Sequence, residues 1–317
     1  MSTQRILKVA FIDQVHPHLM DSLVAKGIQC DDFSDFSIDE LLAEIGPYDG
    51  IVIRSKFKVD KAFLDSARSL KFIARSGAGM ENIDIKYALE KKVELFNSPE
   101  GNRTAVAEHA MGMLLSLLNH LSRVDDEVRN GIWLRAENRG HELKGKTIAI
   151  IGYGNMGQAF AKRLQGFEVN VIAYDKYKEN YSNEYSKECS WEEIYEEADV
   201  LSIHVPLAED TMNLIDEDRL KRFKKPIYLI NTARGKNVNI QDLLKAIKQG
   251  IVLGACLDVL EFEGSSFEKV DSANSVYKAL LESDKVLFSP HIAGWTHESY
   301  FKLADFLFKK IEAHFLL

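Results

Sequence analysis

The segment 147–175 restricts this chain more than any other. Thr147–Ile151 is an apolar, β-branched run, and Gly152-Tyr153-Gly154-Asn155-Met156-Gly157 follows it without a spacer. Helical periodicity begins at once in 158–164, a second β-branched run occupies 170–174, and Asp175 closes it. Each glycine answers a physical need: the first permits a tight turn, the second lets backbone amides approach a pyrophosphate, and the third lets helix and strand pack closely. Unpaired N–H groups and the positive dipole end of the helix, at Asn155 and Met156, favour an anion there. Asp175 stands roughly 20 residues on, the spacing of a carboxylate that accepts from a ribose 2′-hydroxyl. A carboxylate there repels a 2′-phosphate, so the expected cofactor is NAD rather than NADP, a preference that Lys176 and Lys178 alongside would soften.

The same alternation of short apolar runs and helical patterns extends over nearly all of the 317 residues, a length that suggests about two domains. Strands are expected over 8–12, 50–54, 71–75 and 93–96, with helices over 18–26, 61–67 and 85–91. Gly27 falls where a helix needs a left-handed cap. The segment 97–102 breaks the pattern. A helix over 104–123 follows, apolar almost all round, which must be buried in the core or against another subunit. Further strands are expected over 147–151, 170–174, 200–204, 227–231, 253–257 and 286–288. The fold class is therefore α/β, with two Rossmann-like, doubly wound parallel-sheet domains and an active-site cleft between them. The last helix, near 298–315, has no later strand to serve. It is expected to return to the first domain. That gives a discontinuous substrate-binding, flavodoxin-like domain of 1–98 plus 292–317 and a nucleotide-binding domain of 99–291.

Composition excludes several classes. A net charge of −8 and a pI near 5.7 weigh against nucleic-acid and anionic-membrane partners, which need a basic face. The longest apolar stretch lies within 110–118, too short to span a bilayer, and the N-terminus does not read as a signal peptide. Cys30, Cys189 and Cys256 are far apart and give no disulfide framework, so a reducing cytoplasm is expected. His16-Pro17-His18 lacks a third ligand nearby, and no metal site is expected.

Ligands of open α/β sheets bind beyond the carboxyl ends of the strands. Polar residues cluster there. His204-Val205-Pro206 follows one strand, Asn231-Thr232-Ala233-Arg234-Gly235 the next, Asp258 and Glu263 the next, and Ser289-Pro290-His291 the last. Arginine, glutamate and histidine suit hydride exchange with a 2-hydroxy acid. The arginine fork binds a carboxylate. The histidine exchanges the hydroxyl proton, and a carboxylate beside it orients the ring.

These residues resemble the D-isomer-specific 2-hydroxyacid dehydrogenase family over essentially the whole chain. The resemblance rests on Gly145-Lys146-Thr147 leading into the glycine hexad, His204-Val205-Pro206-Leu207, the arginine motif 231–235, Asp258-Val259 with Glu263, and Ser289-Pro290-His291-Ile292-Ala293-Gly294, in that order. It implies that Arg234 binds the substrate carboxylate and polarises the keto group, that His291 is the general acid/base, and that Glu263 pairs with it. It implies that Asp258 contacts the nicotinamide carboxamide, and that Thr211, Thr232, Ala233, Ala293 and Gly294 also line the cofactor. Ser76-Gly77-Ala78-Gly79 resembles the loop whose amides bind the substrate carboxylate. A homodimer around the 104–123 helix is implied as well. Within the family the likeness extends furthest to the 3-phosphoglycerate dehydrogenases. Arg54-Ser55, Arg75 and Arg135 resemble positions that gather charge for a phosphate, Arg135 from the neighbouring subunit. The regulatory carboxy-terminal domain that some of them carry is not expected.

The sequence also departs from the family pattern. Gly264 follows Glu263 where proline is usual, 264–275 reads as an insertion, and Trp295 replaces a small residue. The expected substrate is 3-phosphoglycerate. Glyoxylate or hydroxypyruvate is the alternative, and an NAD-sensing, co-repressor-like binding protein is the alternative of another class.

Overall fold

The computed structural model describes residues 7–263 and 274–315, so 264–273 of the insertion lie outside them. The chain divides into two compact units, Met1–Asn102 with Trp295–Leu317, and Arg103–Gly294. These divisions fall three or four residues from the boundaries expected at 98/99 and 291/292.

The first unit contains β1 (Lys8–Phe11), α1 (His18–Ala25), β2 (Gln29–Asp32), α2 (Ile38–Glu44), β3 (Gly50–Ile53), α3 (Lys61–Ser66), β4 (Phe72–Arg75), α4 (Ile85–Glu90) and β5 (Glu94–Asn97). The strands form one parallel sheet in the order β2-β1-β3-β4-β5. β3 is buried along its length, as a central parallel strand covered on both faces must be. Gly50 is required there, because the Phe72 ring stands 2.2 Å from where a Cβ would be. β2 and α2 have no counterpart in the sequence expectation. β2 reads Gln-Cys-Asp-Asp, polar because it is the sheet edge, and so lacks the apolar run that marks central strands. α2 is short and is held by a capping box between Ser37 and Glu40.

Next come α5 (Pro99–Leu118) and α6 (Leu121–Arg129). α5 begins five residues before the expected helix. Pro99 suits a first helical turn, because its missing N–H would have no partner there. α5 ends at Leu118 instead of continuing to 123. His120 adopts a left-handed φ of 54°, and the Gly140-His141 backbone docks on the Leu118 carbonyl. Ala107, Ala110, Met111, Met113, Leu114 and Leu118 pack with Ile148, Ile150 and Cys256 of the second unit's sheet. The unit's own core thus accounts for the burial of α5.

The second unit continues with β6 (Thr147–Ile151), α7 (Asn155–Arg163), β7 (Asn170–Tyr174), β8 (Lys187–Glu188), α8 (Trp191–Glu197), β9 (Val200–Ile203), α9 (Glu217–Leu220), β10 (Ile227–Asn231), α10 (Ile240–Lys248), β11 (Val252–Leu257), α11 (Ser275–Leu281) and β12 (Val286–Phe288). Its seven strands are parallel in the order β12-β11-β10-β9-β6-β7-β8. The strand order reverses at β6, so the glycine turn after β6 lies at the switch point where such sheets bind ligands.

The closing helix α12 (His297–Phe315) belongs to the first unit. Ala304, Leu307 and Ile311 pack on Val9, Phe11, Val52 and Phe72. Among the described residues no helix is long and apolar enough to cross a membrane.

Candidate active site

At the glycine turn, Gly152 has φ 90°, and a Cβ there would meet the His204 carbonyl at 2.7 Å and Val205 at 2.8 Å. A Cβ on Gly157 would lie 2.1 Å from the Gly152 carbonyl. The first and third glycines are therefore fixed by packing. Gly154 differs: it is the N-cap of α7 and faces open space. No side chain caps α7, so its first amides are left for another acceptor. A dinucleotide pyrophosphate fits this donor set. Asp175, at the end of β7, accepts from the Tyr153 amide at 2.8 Å and the Tyr177 amide at 3.0 Å, which fixes its carboxylate beside the turn. Of the neighbouring lysines, Lys176 pairs with Asp210 at 2.5 Å and Lys178 donates to the Tyr153 carbonyl at 2.7 Å.

His204 leaves β9 into this region and is 8% exposed, its Nε2 2.8 Å from Ser202 Oγ. Burial pushes its pKa down to about 4, so the ring is neutral at pH 7. The loop after Pro206 is closed by Thr211, whose hydroxyl donates to the Pro206 carbonyl at 2.7 Å. Thr232 is 9% exposed, and its hydroxyl has no hydrogen-bond partner among the described residues.

β10, β11 and β12 are adjacent and in register, Asn231 level with Leu257 and Leu257 with Phe288. Residues just beyond these ends share one sheet edge, with neighbouring strands about 4.8 Å apart. Arg234 stands three residues past β10. Its turn is braced by buried Asn231, whose side chain takes the Ala233 amide at 3.1 Å and donates to the Arg234 carbonyl at 2.9 Å. Buried Asn237 accepts from the Arg234 amide at 3.1 Å. These two asparagines were not singled out from the sequence. Asn231 lies in the arginine motif, but its bracing role depends on the turn it closes.

Gly235 lies so close to the next turn that a Cβ would stand 2.0 Å from the Leu260 carbonyl carbon. That turn carries Glu263, one of whose oxygens accepts from the Leu260 amide. The other lies 2.7 Å from His291 Nδ1. His291 is held at φ 56°, a left-handed conformation that costs a non-glycine residue about 1–2 kcal/mol. Asp258 imposes it: its carbonyl accepts from the His291 amide at 2.8 Å, and its carboxylate accepts from the Ile292 and Ala293 amides at 2.9 Å each. Ser289 Oγ donates to the same carboxylate at 2.6 Å. Asp258 is 2% exposed and anchors the loop that carries His291 and leads on to Gly294, a role additional to the cofactor contact expected of it.

In the first unit, Arg54 and Arg75 lie at neighbouring strand ends, Arg75 paired with Ile53 in the register of β3 and β4. Asp13 accepts the backbone amides of Arg54 at 3.0 Å, Ser55 at 2.8 Å and Lys56 at 2.9 Å. The Arg54 guanidinium stacks 4.1 Å from the Trp295 ring centroid. The Arg75 guanidinium occupies the space a Gly77 side chain would fill. Ser76 is buried, its hydroxyl without a hydrogen-bond partner among the described residues, Gly77 has φ 149°, and the Ala78 carbonyl accepts from Asn97 at 2.6 Å. Gly79 ends this loop. Arg135 is exposed in the segment after α6, in the second unit.

Residues 111–293 match the NAD-binding domain of the D-isomer specific 2-hydroxyacid dehydrogenases. A D-3-phosphoglycerate dehydrogenase of Archaeoglobus fulgidus is 34% identical over 295 residues, 92% of this chain, and the chain spans about half of that relative, 54%. A hydroxypyruvate reductase of Thermotoga maritima is 35% identical over 275 residues, covering 86% of this chain and 87% of the relative. Among solved structures, a D-lactate dehydrogenase from Aquifex aeolicus complexed with NAD and lactic acid is similar with a TM-score of 0.82 at 27% identity, over 96% of this chain and 94% of that one. Taken with the glycine turn and the ordered strand ends, these likenesses show that the chain belongs to the D-isomer specific 2-hydroxyacid dehydrogenases, a family of NAD-binding oxidoreductases.

Proposed function

We propose that the protein interconverts a D-2-hydroxy acid and its 2-keto acid, with 3-phosphoglycerate as the preferred hydroxy acid. The observation that carries the reaction is the 2.7 Å contact between His291 and Glu263, at a sheet edge shared with the turn of Arg234. When bound, NAD supplies the acceptor or donor of the hydride. Arg234 binds the substrate carboxylate and polarises the keto oxygen. His291 exchanges the hydroxyl proton through Nε2, because Nδ1 faces Glu263, whose carboxylate keeps the ring in one orientation. The Ser76–Gly79 loop offers backbone amides to the substrate, and Arg54 and Arg75 take the phosphate. The preference for a phosphorylated acid draws on these paired strand-end arginines. A second reading, hydroxypyruvate or glyoxylate, is favoured by the Trp295 ring that covers one face of Arg54.

For the assembly we propose a homodimer. Its surface is the exposed apolar group Leu121, Val128, Ile132, Trp133 and Leu134, at and beyond α6, which also carries Arg135.

Steady-state NADH kinetics with phosphohydroxypyruvate, hydroxypyruvate and glyoxylate test the reading. Arg54→Ala is expected to raise KM for the phosphorylated acid by roughly 10-fold or more, from a lost charged hydrogen bond, and to leave glyoxylate nearly unchanged. Equal effects on both would favour the smaller acids. His291→Ala is expected to lower kcat about 100-fold or more with NAD affinity intact. No turnover with any keto acid would favour an NAD-sensing binding protein.

A further inference from the structure

Beneath the His291 loop lies a second histidine that the reaction does not use directly. His109 sits in α5, and its Nε2 is 2.8 Å from Ser289 Oγ. Ser289 Oγ in turn donates to Asp258 Oδ1 at 2.6 Å. The hydroxyl has one proton, and the charged carboxylate is its stronger acceptor. His109 must therefore donate from Nε2 to Ser289, which fixes its tautomer with the proton on Nε2. His109 Nε2 is itself 3.7 Å from Asp258 Oδ1, so it lies on the same side of the carboxylate. The same Oδ1 also accepts from the Ile292 amide, and Oδ2 accepts from the Ala293 amide. A single chain of hydrogen bonds, meeting at the Asp258 carboxylate, thus runs from the middle of a long core helix to the loop on which His291 is held in a left-handed conformation.

We propose that His109 is a positioning residue for His291. It acts through Ser289 and Asp258 to fix the 291–293 backbone, and with it the distance from the imidazole to Glu263. The rigid part is α5, whose neighbouring turns at Ala107, Ala110, Met113 and Leu114 are locked in the core. Without His109 the Ser289 oxygen loses the N–H that holds it in place. The Ser289 side chain is then freer to move, which loosens its bond to the Asp258 oxygen that also holds the Ile292 amide. This assignment rests on His291 being the acid/base of the proposed reaction, so one measurement follows turnover and another does not.

The variants are His109→Ala, His109→Gln, Ser289→Ala and the double variant His109→Ala/Ser289→Ala, in the full-length protein. Gln can place an N–H near the position of Nε2, whereas Ala cannot. Amide hydrogen exchange at Ile292 and Ala293 is expected to quicken roughly 10-fold in His109→Ala and to return toward wild type in His109→Gln. For the best keto acid, kcat is expected to fall roughly 10-fold in His109→Ala while KM for NADH and the melting temperature stay close to wild type. His109→Gln should recover most of that loss. The double variant should be no slower than the slower single variant, because both act through one chain. Unchanged exchange at Ile292 and Ala293 in His109→Ala would overturn the proposal, whether or not turnover is found. So would additive effects of the two substitutions, or a lower melting temperature that Gln fails to restore. Absence of turnover in the wild type would instead count against the proposed reaction, leaving the exchange measurement to decide the positioning role.

Discussion

At the scale of single residues, burial decides the chemical state of several groups. His204 is neutral because the protein offers its charged form no solvent and no counter-charge. An unfolded histidine titrates near pH 6.5, whereas folded His204 titrates near 4. Between those values the unfolded chain binds a proton that the folded chain does not. The stability contributed by the neutral ring is therefore complete above about pH 6.5 and lost as pH falls toward 4. From pH 7 to 5 that loss amounts to about 2 kcal/mol. Urea unfolding at the two pH values should show it in the wild type and not in His204→Gln, and equal losses in both would remove His204 as the cause. Cys256 and Cys189 are likewise set by burial, which pushes their thiols up and keeps them unreactive near neutral pH.

Among elements, the turns at the strand ends matter more than the strands. Registered parallel strands bring the turns of Arg234, Asp258 and His291 to one edge, and the side chains then depend on how closely the turns approach. The closest approach is at Gly235, which lies against Leu260 and Glu261. Gly235→Ala should force the two turns apart, cost about 1–3 kcal/mol in stability and lower kcat by up to about 100-fold through misplacement of Arg234 relative to Glu263. Denaturant melts and kcat measured together would check this. Full activity at wild-type stability would show that the turns can yield without loss. Much of this was legible beforehand. The glycine hexad, the arginine motif and Ser289-Pro290-His291 are local words in the sequence, each tied to a strand end. The polar strand β2 and the box-capped α2 were not legible, because an edge strand carries no apolar run and a seven-residue helix shows little periodicity.

For the molecule as a whole, the question is what covers its apolar surface. The sequence left α5 open to the core or to another subunit, and the second unit's sheet takes it. Among the apolar side chains left exposed, several are grouped in sequence at and just beyond α6, with Trp133 78% exposed and Leu121, Val128, Ile132 and Leu134 near it. These are the residues assigned above to the proposed dimer, since exposed apolar groups of this size are candidates for an interface. Trp133→Asp should convert the proposed dimer to a monomer in sedimentation velocity while leaving the far-UV circular dichroism unchanged. A wild-type protein that sediments as a monomer at micromolar concentration would sink the dimer.

By itself the sequence determined the alternation of strands and helices, the nucleotide turn and the order of the strand-end motifs. These depend on residues adjacent along the chain, whose sterics and hydrogen bonding act locally. Tertiary structure alone decided that α5 is core, that Asp258 anchors the loop bearing His291, that Gly235 sits against Leu260, and that Trp295 stacks on Arg54. Each of these joins residues distant in sequence, and such contacts exist only once the packed backbone has fixed their separation.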